Sequence, residues 1–189
     1  MAIFNNTEFY QDAILEYGIS PQGVHWRSRY TQEKRFEILL DFIKEQIEDS
    51  SILDVGCGFG DLIKHFTSKN LYPKSYLGID KEDYFIEIAS TIYPNTKFQQ
   101  IDIFKDNLPK SDFYICSGAL NIYEFDEMQL FIKNCFENSN KGFIFNFLVG
   151  STFNGVTKGE ILDYCKNFDC EILTKSKYLK NDFSIFLKK

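Results

Sequence analysis

The stretch Ser51–Leu62, which reads SILDVGCGFGDL, constrains the fold more than any other part of the sequence. It begins as an apolar strand, continues with glycines at positions 56, 58 and 60, and turns into a helical pattern from Asp61. Glycine lets the backbone turn tightly and approach a ligand closely. The free N–H groups at a helix start favour a negatively charged or polar ligand. The segment therefore predicts a strand, a ligand-binding turn and a helix.

Short apolar runs and helical stretches alternate over the rest of the chain. We predict strands at 51–55, 75–79, 96–101, 112–116 and 141–148, helices at 61–69, 81–93, 125–138 and 158–167, and two final strands at 169–176 and 183–188. Alternation predicts a parallel sheet with helices on both faces. The last two strands predict a hairpin. The predicted fold is α/β, doubly wound and Rossmann-like, with a mainly parallel seven-stranded sheet and one antiparallel strand near the C-terminal edge.

An N-terminal helical extension precedes this core. Residues 7–17 predict a short helix and residues 18–23 a turn. Residues 29–48 predict a long amphipathic helix, because apolar residues from Phe36 to Ile47 recur at helical spacing. The chain has 189 residues, which fits one domain. We predict a single domain over 1–189, with residues 1–48 as a helical cap and residues 49–189 as the cofactor-binding core.

Composition and charge limit the kinds of partner that the protein is expected to bind. The net charge is −6 and the sequence has no Lys/Arg run, which argues against a nucleic-acid partner. The five cysteines form no CxxC pair, which indicates reduced cytosolic thiols and no metal site. The start lacks the pattern of a signal peptide, and no apolar run approaches the roughly 20 residues of a membrane span. We expect a cytoplasmic protein with no membrane partner, as a monomer or homodimer.

The glycine spacing separates two kinds of cofactor site. A dinucleotide site uses G-x-G-x-x-G, whereas here Gly56, Gly58 and Gly60 alternate and Asp54 precedes them. This pattern resembles motif I of class I S-adenosylmethionine-dependent methyltransferases, (hydrophobic)-x-D-x-G-x-G-x-G. The resemblance implies S-adenosyl-L-methionine as cofactor and S-adenosyl-L-homocysteine as product. A nicotinamide or flavin site is the alternative that the spacing disfavours.

The same resemblance assigns roles to residues after the next strands. Asp80 would accept both ribose hydroxyl hydrogens, or would instead be a helix N-cap. Asp102 would accept a hydrogen bond from the adenine amino group, and Ile101 and Ile103 would flank the adenine ring. Small residues after the fourth strand would leave room for the sulfonium and the acceptor. The predicted cofactor-binding residues are Trp26, Arg29, Asp54, Gly56, Cys57, Gly58, Gly60, Asp61, Leu62, Asp80, Lys81, Ile101, Asp102, Ile103, Ser117 and Gly118.

All three arginines, Arg27, Arg29 and Arg35, lie close together beside the only tryptophan, Trp26. Arginine binds carboxylates in a planar, bidentate way that lysine does not reproduce. We infer that residues 24–32 fold over the cofactor and that Arg29 holds the methionine carboxylate. The alternative is a helix start with exposed arginines. His25 is a candidate base, although a lone histidine is more often structural.

Two further segments resemble an uncharacterised group of small bacterial class I methyltransferases. A leader, YG-x-x-P-x-x-x-x-W-x-S-(R)-x-x-Q-x-x-RF, is matched between Tyr17 and Phe36, and a tail, Y-x-x-x-DF-(S/T)-(V/I)-(F/Y)-L, between Tyr178 and Leu187. The resemblance thus covers almost the whole chain. It does not name a methyl acceptor.

The implied activity is methyl transfer to an unidentified small-molecule acceptor. The fourth strand lacks the D/N-P-P-Y/F pattern of amino-directed DNA and glutamine methyltransferases, and no Pro-Cys pair indicates cytosine C5 methylation. Asn121, Tyr123 and Glu124 follow that strand and are the candidate catalytic residues. Two alternatives stay open: a protein or RNA methyltransferase that works with a partner subunit, and a non-catalytic S-adenosylmethionine-binding module.

Overall fold

The computed structural model describes residues 6–24, 26, 28–150 and 155–189, so that His25 and Arg27 lie outside the described residues. The seven strands are β1 (Ser51–Val55), β2 (Ser75–Asp80), β3 (Lys97–Gln100), β4 (Ser111–Ser117), β5 (Ser139–Leu148), β6 (Glu171–Ser176) and β7 (Asp182–Lys188). The α-helices are α1 (Asn6–Tyr17), α2 (Arg29–Leu40), α3 (Asp61–Ser68), α4 (Asp83–Ile92), α5 (Phe125–Asn138) and α6 (Lys158–Cys165). None of the helices in these ranges is both long enough and apolar enough for a bilayer span.

The strands form one sheet in the order β3-β2-β1-β4-β5-β7-β6. Strands β1 to β5 pair in parallel, whereas β7 runs antiparallel between β5 and β6. The fold predicted from the sequence is confirmed. The strand order reverses at β1 and β4, and ligands bind outside the carboxyl ends of the strands at such a point. Because β7 is inverted, its first residue, Asp182, pairs with Leu148 at the end of β5 and lies at this same edge.

The long helix predicted over 29–48 is wrong in its second half. Helix α2 ends at Leu40, and a short 3-10 helix follows at Lys44–Gln46. Tightened turns join the two, since the N–H of Ile43 donates to the carbonyl of Leu40 at 3.0 Å. Ile43 and Ile47 are nonetheless buried. A turn of three residues and a helical turn of 3.6 residues return apolar side chains to nearly the same side, so the periodicity did not distinguish them.

Each face of the sheet has its own hydrophobic core. Successive side chains of β4 alternate between the faces: Tyr114 packs with α5 and α6, and Phe113 packs with α2 and α3. The second core joins α2 of the cap to the sheet through Phe36 and Leu39, which are buried in the same cluster as Ile144 of β5. Helices thus cover both faces and leave the carboxyl edge of the strands for the site.

Candidate functional site

The turn between β1 and α3 has a backbone that requires glycine. Gly56, Gly58 and Gly60 have φ values of +73°, +51° and +80°, which L side chains rarely adopt. The N–H groups of Gly56 and Cys57 both donate to the carbonyl of Ile79, at 2.9 and 3.0 Å. A Cβ on Gly56 would lie 2.6 Å from the Cβ of Ala119. The backbone conformation therefore requires glycine at all three positions, and at Gly56 the contact with Ala119 requires it as well.

Asp80, at the end of β2, is tied to this turn. Its Oδ2 accepts from the N–H of Gly58 at 3.0 Å, and its Oδ1 accepts from the N–H of Glu82 at 3.1 Å. The N-cap of α4 is Glu82, so Asp80 does not occupy the cap position. Burial raises the pKa of Asp80 to about 6, although the two N–H donors act against the shift. The carboxyl lines the cavity described below.

A buried carboxyl, Asp54, lies at the end of β1. It accepts a hydrogen bond from the hydroxyl of Tyr76, and burial raises its pKa to about 7. At the start of α3, Asp61 accepts from the side-chain amide of Gln32 at 3.0 Å. That bond links helix α2 of the cap to the helix after the glycine turn. The cap and the turn are therefore joined at the site.

The segments after β3 and β4 complete this edge. Ile101 and Ile103 are buried on either side of Asp102, whose Oδ1 accepts from the N–H of Phe104 at 2.9 Å. After β4, Gly118 has φ +86°, and its N–H donates to Oδ1 of Asn146 at 2.9 Å. These segments bring Asp102 and Gly118 to the same cavity as Asp80.

One cavity of about 980 Å³ joins all these groups. Its wall combines the glycine turn, the ends of β1 to β5, parts of the cap, and residues 179–182 before and at the start of β7. Most of the predicted site residues line it: Trp26, Asp54, Gly56, Cys57, Gly58, Asp61, Leu62, Asp80, Lys81, Ile101, Asp102, Ile103, Ser117, Gly118, Asn121 and Tyr123.

Three predicted site residues do not line the cavity. Arg29 is exposed on the first turn of α2. Gly60 shapes the turn from outside, where a Cβ would lie 3.0 Å from the ring of Phe98. Glu124 is an exposed N-cap of α5, and its side chain closes a capping box with Glu127. The Glu124 carboxylate therefore takes part in the helix start, and its acceptor-side role stays a prediction.

The two remaining catalytic candidates differ in their surroundings. Asn121 accepts from the N–H of Leu148 through its Oδ1 at 2.9 Å and so joins the ends of β4 and β5. The ring of Tyr123 packs against Phe104 and Phe131, with centroids 5.2 and 5.7 Å apart. Burial raises the pKa of the Tyr123 hydroxyl well above its ordinary value. The raised pKa favours the protonated phenol, and the catalytic role of Tyr123 stays a prediction.

Many residues of the cavity wall were not predicted from the sequence, and four of them make contacts that shape the site. Tyr10 of α1 packs edge-on against Phe85, with centroids 5.4 Å apart. Gln32, Arg35 and Asp182 also line the cavity. The last three fall in the leader and tail that resemble the bacterial group, and that resemblance was the available signal. It gave no indication that the two segments meet.

The cavity fits the cofactor that the glycine spacing indicates. It offers a glycine cradle, and its carboxyl groups suit the hydroxyls and positive charge of S-adenosylmethionine: Asp54, Asp61, Asp80, Glu82 and Asp102. Within the described ranges, no group of three or more His, Cys, Asp or Glu side chains is placed to hold a metal ion.

Known structures share this architecture. Magnesium protoporphyrin IX methyltransferase from Synechocystis, solved with bound S-adenosylmethionine, matches over 100% of both chains with a TM-score of 0.71 and 14% identity. An S-adenosylmethionine-dependent methyltransferase from Clostridium acetobutylicum matches over 97% of this chain and 99% of its own, with a TM-score of 0.70 and 13% identity. At such identities the likeness shows the fold.

Sequence comparisons point the same way. Protein 235L of Invertebrate iridescent virus 6, named as a methyltransferase, is 36% identical over 62 residues, which are 33% of this chain and 23% of that protein. The chain thus spans about a quarter of this relative, and a bacterial origin stays a prediction. Residues 52–142 match a family model described as "Methyltransferase domain". Together with the shared fold, this match favours S-adenosylmethionine over nicotinamide as the cofactor, and residues 52–142 are similar to methyltransferase domains.

Proposed function

We propose that the protein transfers the methyl group of S-adenosylmethionine to a small molecule bound in the same cavity. The observation that carries this proposal is the continuity of the cavity from the glycine turn to the ends of β4 and β5 and the start of β7. Its volume of about 980 Å³ is at the upper end of small-molecule sites, which run from about 300 to 1,000 Å³. That is room for a cofactor and a second small ligand.

The walls divide into two sides. On the β1 to β3 side, the acidic groups at Asp54, Asp80 and Asp102 would hold the amine and nucleoside parts of the cofactor. On the β4, β5 and β7 side, apolar residues such as Leu148, Val149 and Leu179 would hold the acceptor. S-adenosylmethionine supplies a methyl group on a positively charged sulfur, open to attack by a lone pair.

The protein's contribution to the reaction would be alignment and exclusion of water. Holding two reactants in line replaces an encounter from solution and lowers the entropic part of the barrier. Aromatic residues around the cavity, including Tyr123 and Phe131, would keep water from the reacting pair. An acceptor with its own available lone pair, such as a neutral amine or an acidic oxygen, needs at most a weak base.

Ligand binding tests the cofactor assignment. We would measure the melting temperature and the calorimetric affinity with S-adenosylmethionine, S-adenosylhomocysteine and NAD. A ligand present at about 100 times its dissociation constant adds about 2.7 kcal/mol of stability. We expect stabilisation by the two adenosyl ligands, loss of it in Asp80→Ala, and retention in Asp163→Ala, an exposed carboxyl on α6. Stabilisation by NAD alone would refute the assignment.

Substrate screening tests the acceptor class. The protein should release more S-adenosylhomocysteine from S-adenosylmethionine when it is given pools of small amines, phenols and acids than when it is given protein or RNA extracts.

One observation favours the second candidate, a macromolecular acceptor bound with a partner subunit. The cap exposes Leu15, Tyr17, Ile19 and Tyr30 by 85%, 51%, 59% and 69%. Turnover only with an extract, together with a partner retained on the cap, would favour that candidate.

A further inference from the structure

The leader and tail segments meet in a buried ion pair at the cavity wall. Arg35 of α2 donates from Nε and Nη2 to the two carboxylate oxygens of Asp182, the latter bond being 2.7 Å long. Its Nη1 donates to the carbonyl of Thr31 at 3.2 Å. The side chains of Arg35 and Asp182 are 8% and 1% exposed. Because so little water reaches these side chains, the two groups stay paired in one geometry, whereas an exposed pair exchanges with water.

Trp26 lies between this ion pair and the end of β4. The guanidinium carbon of Arg35 is 4.6 Å from the centroid of the Trp26 ring. On the other side, a Cβ on Gly118 would meet the Cη2 and Cζ2 atoms of Trp26 at 2.5 and 2.7 Å. The indole is therefore enclosed by a cation and by a backbone position that only glycine permits.

Asn146 of β5 fixes the Gly118 end of this arrangement. Its Oδ1 accepts from the N–H of Gly118 at 2.9 Å. Trp26, Arg35, Asp182 and Gly118 all line the cavity, so the contacts among them form one piece of its wall.

We propose that Trp26 is a specificity-determining wall between the methyl-donor and acceptor parts of the cavity, and that Arg35 and Asp182 are positioning residues that hold it against Gly118. The inference rests on the proposed function, because the position of the methyl donor near Gly118 follows from it. Small changes in the Arg35–Asp182 pair would move the indole, and with it the surface against which the methionine end of the cofactor and the acceptor lie.

The chemistry of the pair supports a positioning role. A guanidinium is planar, so it can pair with a carboxylate at its edge and stack on an indole with its face, which an ammonium cannot do at once. The Arg35–Asp182 pair adds no net charge to the wall. Beside it the wall is lined by the apolar residues Leu148, Val149 and Leu179 and by Lys180, so the part of the acceptor that lies against the apolar residues is itself apolar.

The single tryptophan makes the proposal measurable without a known acceptor. We would titrate the protein with S-adenosylhomocysteine and, separately, with adenosine, following both calorimetric heat and tryptophan emission. Adenosine fills the nucleoside end near Asp80 and Asp102, and S-adenosylhomocysteine also reaches the β4 end near Gly118. We expect S-adenosylhomocysteine to change the emission of Trp26 and adenosine to bind without changing it.

Variants separate positioning from folding. Asp182→Asn should weaken S-adenosylhomocysteine binding by about tenfold or more, because misplacement by about 1 Å is costly, and should shift the emission of Trp26 while adenosine affinity stays unchanged. The matched control is Asp41→Asn, which removes an ion pair with Lys175 that also joins the end of α2 to the β6–β7 hairpin but lies outside the cavity. This control should behave as wild type. Trp26→Ala, followed by calorimetry, gives the same test if Asp182→Asn does not fold.

The outcomes distinguish the two proposals. Calorimetric binding of S-adenosylhomocysteine with no change in emission, or with unchanged affinity in Asp182→Asn or Trp26→Ala, would overturn the positioning role and leave the methyltransferase function standing. Absence of any S-adenosylhomocysteine binding by the wild-type protein would overturn the proposed function, and the inference with it.

Discussion

The carboxyls at the ends of β1 and β2, the buried Asp54 and the half-buried Asp80, differ from ordinary surface acids. Burial raises the pKa of Asp54 to about 7 and that of Asp80 to about 6. Both line the cavity that fits a positively charged cofactor. Such carboxyls are costly to ionise in the empty cavity, and a bound cation offsets that cost. We therefore expect their ionisation to be coupled to cofactor binding.

Cofactor affinity should depend on pH through these carboxyls. As pH falls from 8 to 5, Asp54 and Asp80 take up protons and lose their attraction for positive charge. We expect the affinity for S-adenosylmethionine to fall over this range. The affinity for S-adenosylhomocysteine should fall less, because its sulfur carries no charge. Calorimetry at several pH values measures both. In Asp54→Asn the dependence should become shallower, and an unchanged profile there would exclude Asp54 as its source.

Stability without ligand should have the opposite dependence. A carboxyl with a raised pKa in the folded state stabilises the fold most when it is protonated, below its unfolded pKa of about 3.9. This contribution is lost as pH rises to the folded pKa of about 7 for Asp54. We expect the free energy of unfolding of Asp54→Asn to decline less between pH 4 and pH 7 than that of wild type, as measured by urea denaturation. Parallel declines would contradict the assignment.

Two glycines with similar backbone conformation, one in the glycine turn and one outside it, separate the effect of conformation from the effect of contact. Gly56 and Gly18 have similar φ values, +73° and +63°, but a Cβ on Gly56 would lie 2.6 Å from Ala119 whereas one on Gly18 would meet nothing within 4 Å. Each alanine substitution should cost about 1 kcal/mol or more through its backbone conformation. Only Gly56→Ala should also weaken S-adenosylhomocysteine binding. Equal affinities in the two variants would show that the turn does not approach the ligand.

At the scale of elements, helix α2 is tied to the C-terminal hairpin by two ion pairs of different burial. Arg35–Asp182 is buried, whereas Lys175–Asp41 has side chains that are 28% and 61% exposed. Breaking a buried pair leaves an uncompensated group in a dry environment, whereas an exposed pair exchanges with water. Both pairs connect α2 or the residue after it to the β6–β7 hairpin, so they form an internal comparison.

The stability of the two variants should differ accordingly. We expect Asp182→Ala to lower the free energy of unfolding by about 3 to 5 kcal/mol and Asp41→Ala by less than about 1 kcal/mol. Chemical denaturation measures both values. The double variant Arg35→Met/Asp182→Ala should recover part of the loss, because no unpaired charge remains. A loss in Asp182→Ala no larger than that in Asp41→Ala would mean that the buried pair is not formed in solution.

Local sequence predicted the elements better than the contacts between them. The boundaries of β1 and α5 follow from a clear apolar period and clear turn residues, and the prediction matches them residue for residue. Glu124 was a catalytic candidate because it follows the fourth strand. Its capping box with Glu127 forms only because α5 begins at the next residue. Arg35 and Asp182 are 147 positions apart, and no local pattern reports a contact over that distance. Residues on the sheet edge were therefore predictable, and the partners that reach them from the cap were not.

At the scale of the whole molecule, the cap and the sheet share a core. Phe36, Leu39 and Ile43 of the cap lie in one buried cluster with Phe113 and Ile144 of the sheet. A cap that contributes this much apolar surface cannot detach without exposing one face of the sheet. The single-domain organisation predicted from the sequence is consistent with this packing, and it can be tested directly.

Unfolding should be one cooperative transition. Tryptophan emission reports the cap, because Trp26 is the only tryptophan, and far-ultraviolet circular dichroism reports the helices and sheet. For a single domain, the two signals should give the same midpoint and the same slope in urea. An earlier transition by tryptophan emission would show that residues 1–48 unfold on their own.

The inverted strand β7 also has a consequence for the order of folding. The proposed cofactor side of the site consists of β1, β2 and the glycine turn after β1, which are near one another in the chain. The Trp26 wall requires Arg35 and Asp182, separated by 147 positions, to meet. Contacts between residues far apart in the chain form late, because closing a long loop costs conformational entropy that only the contacts of a largely formed structure offset. During refolding, the affinity for adenosine should therefore return before that for S-adenosylhomocysteine.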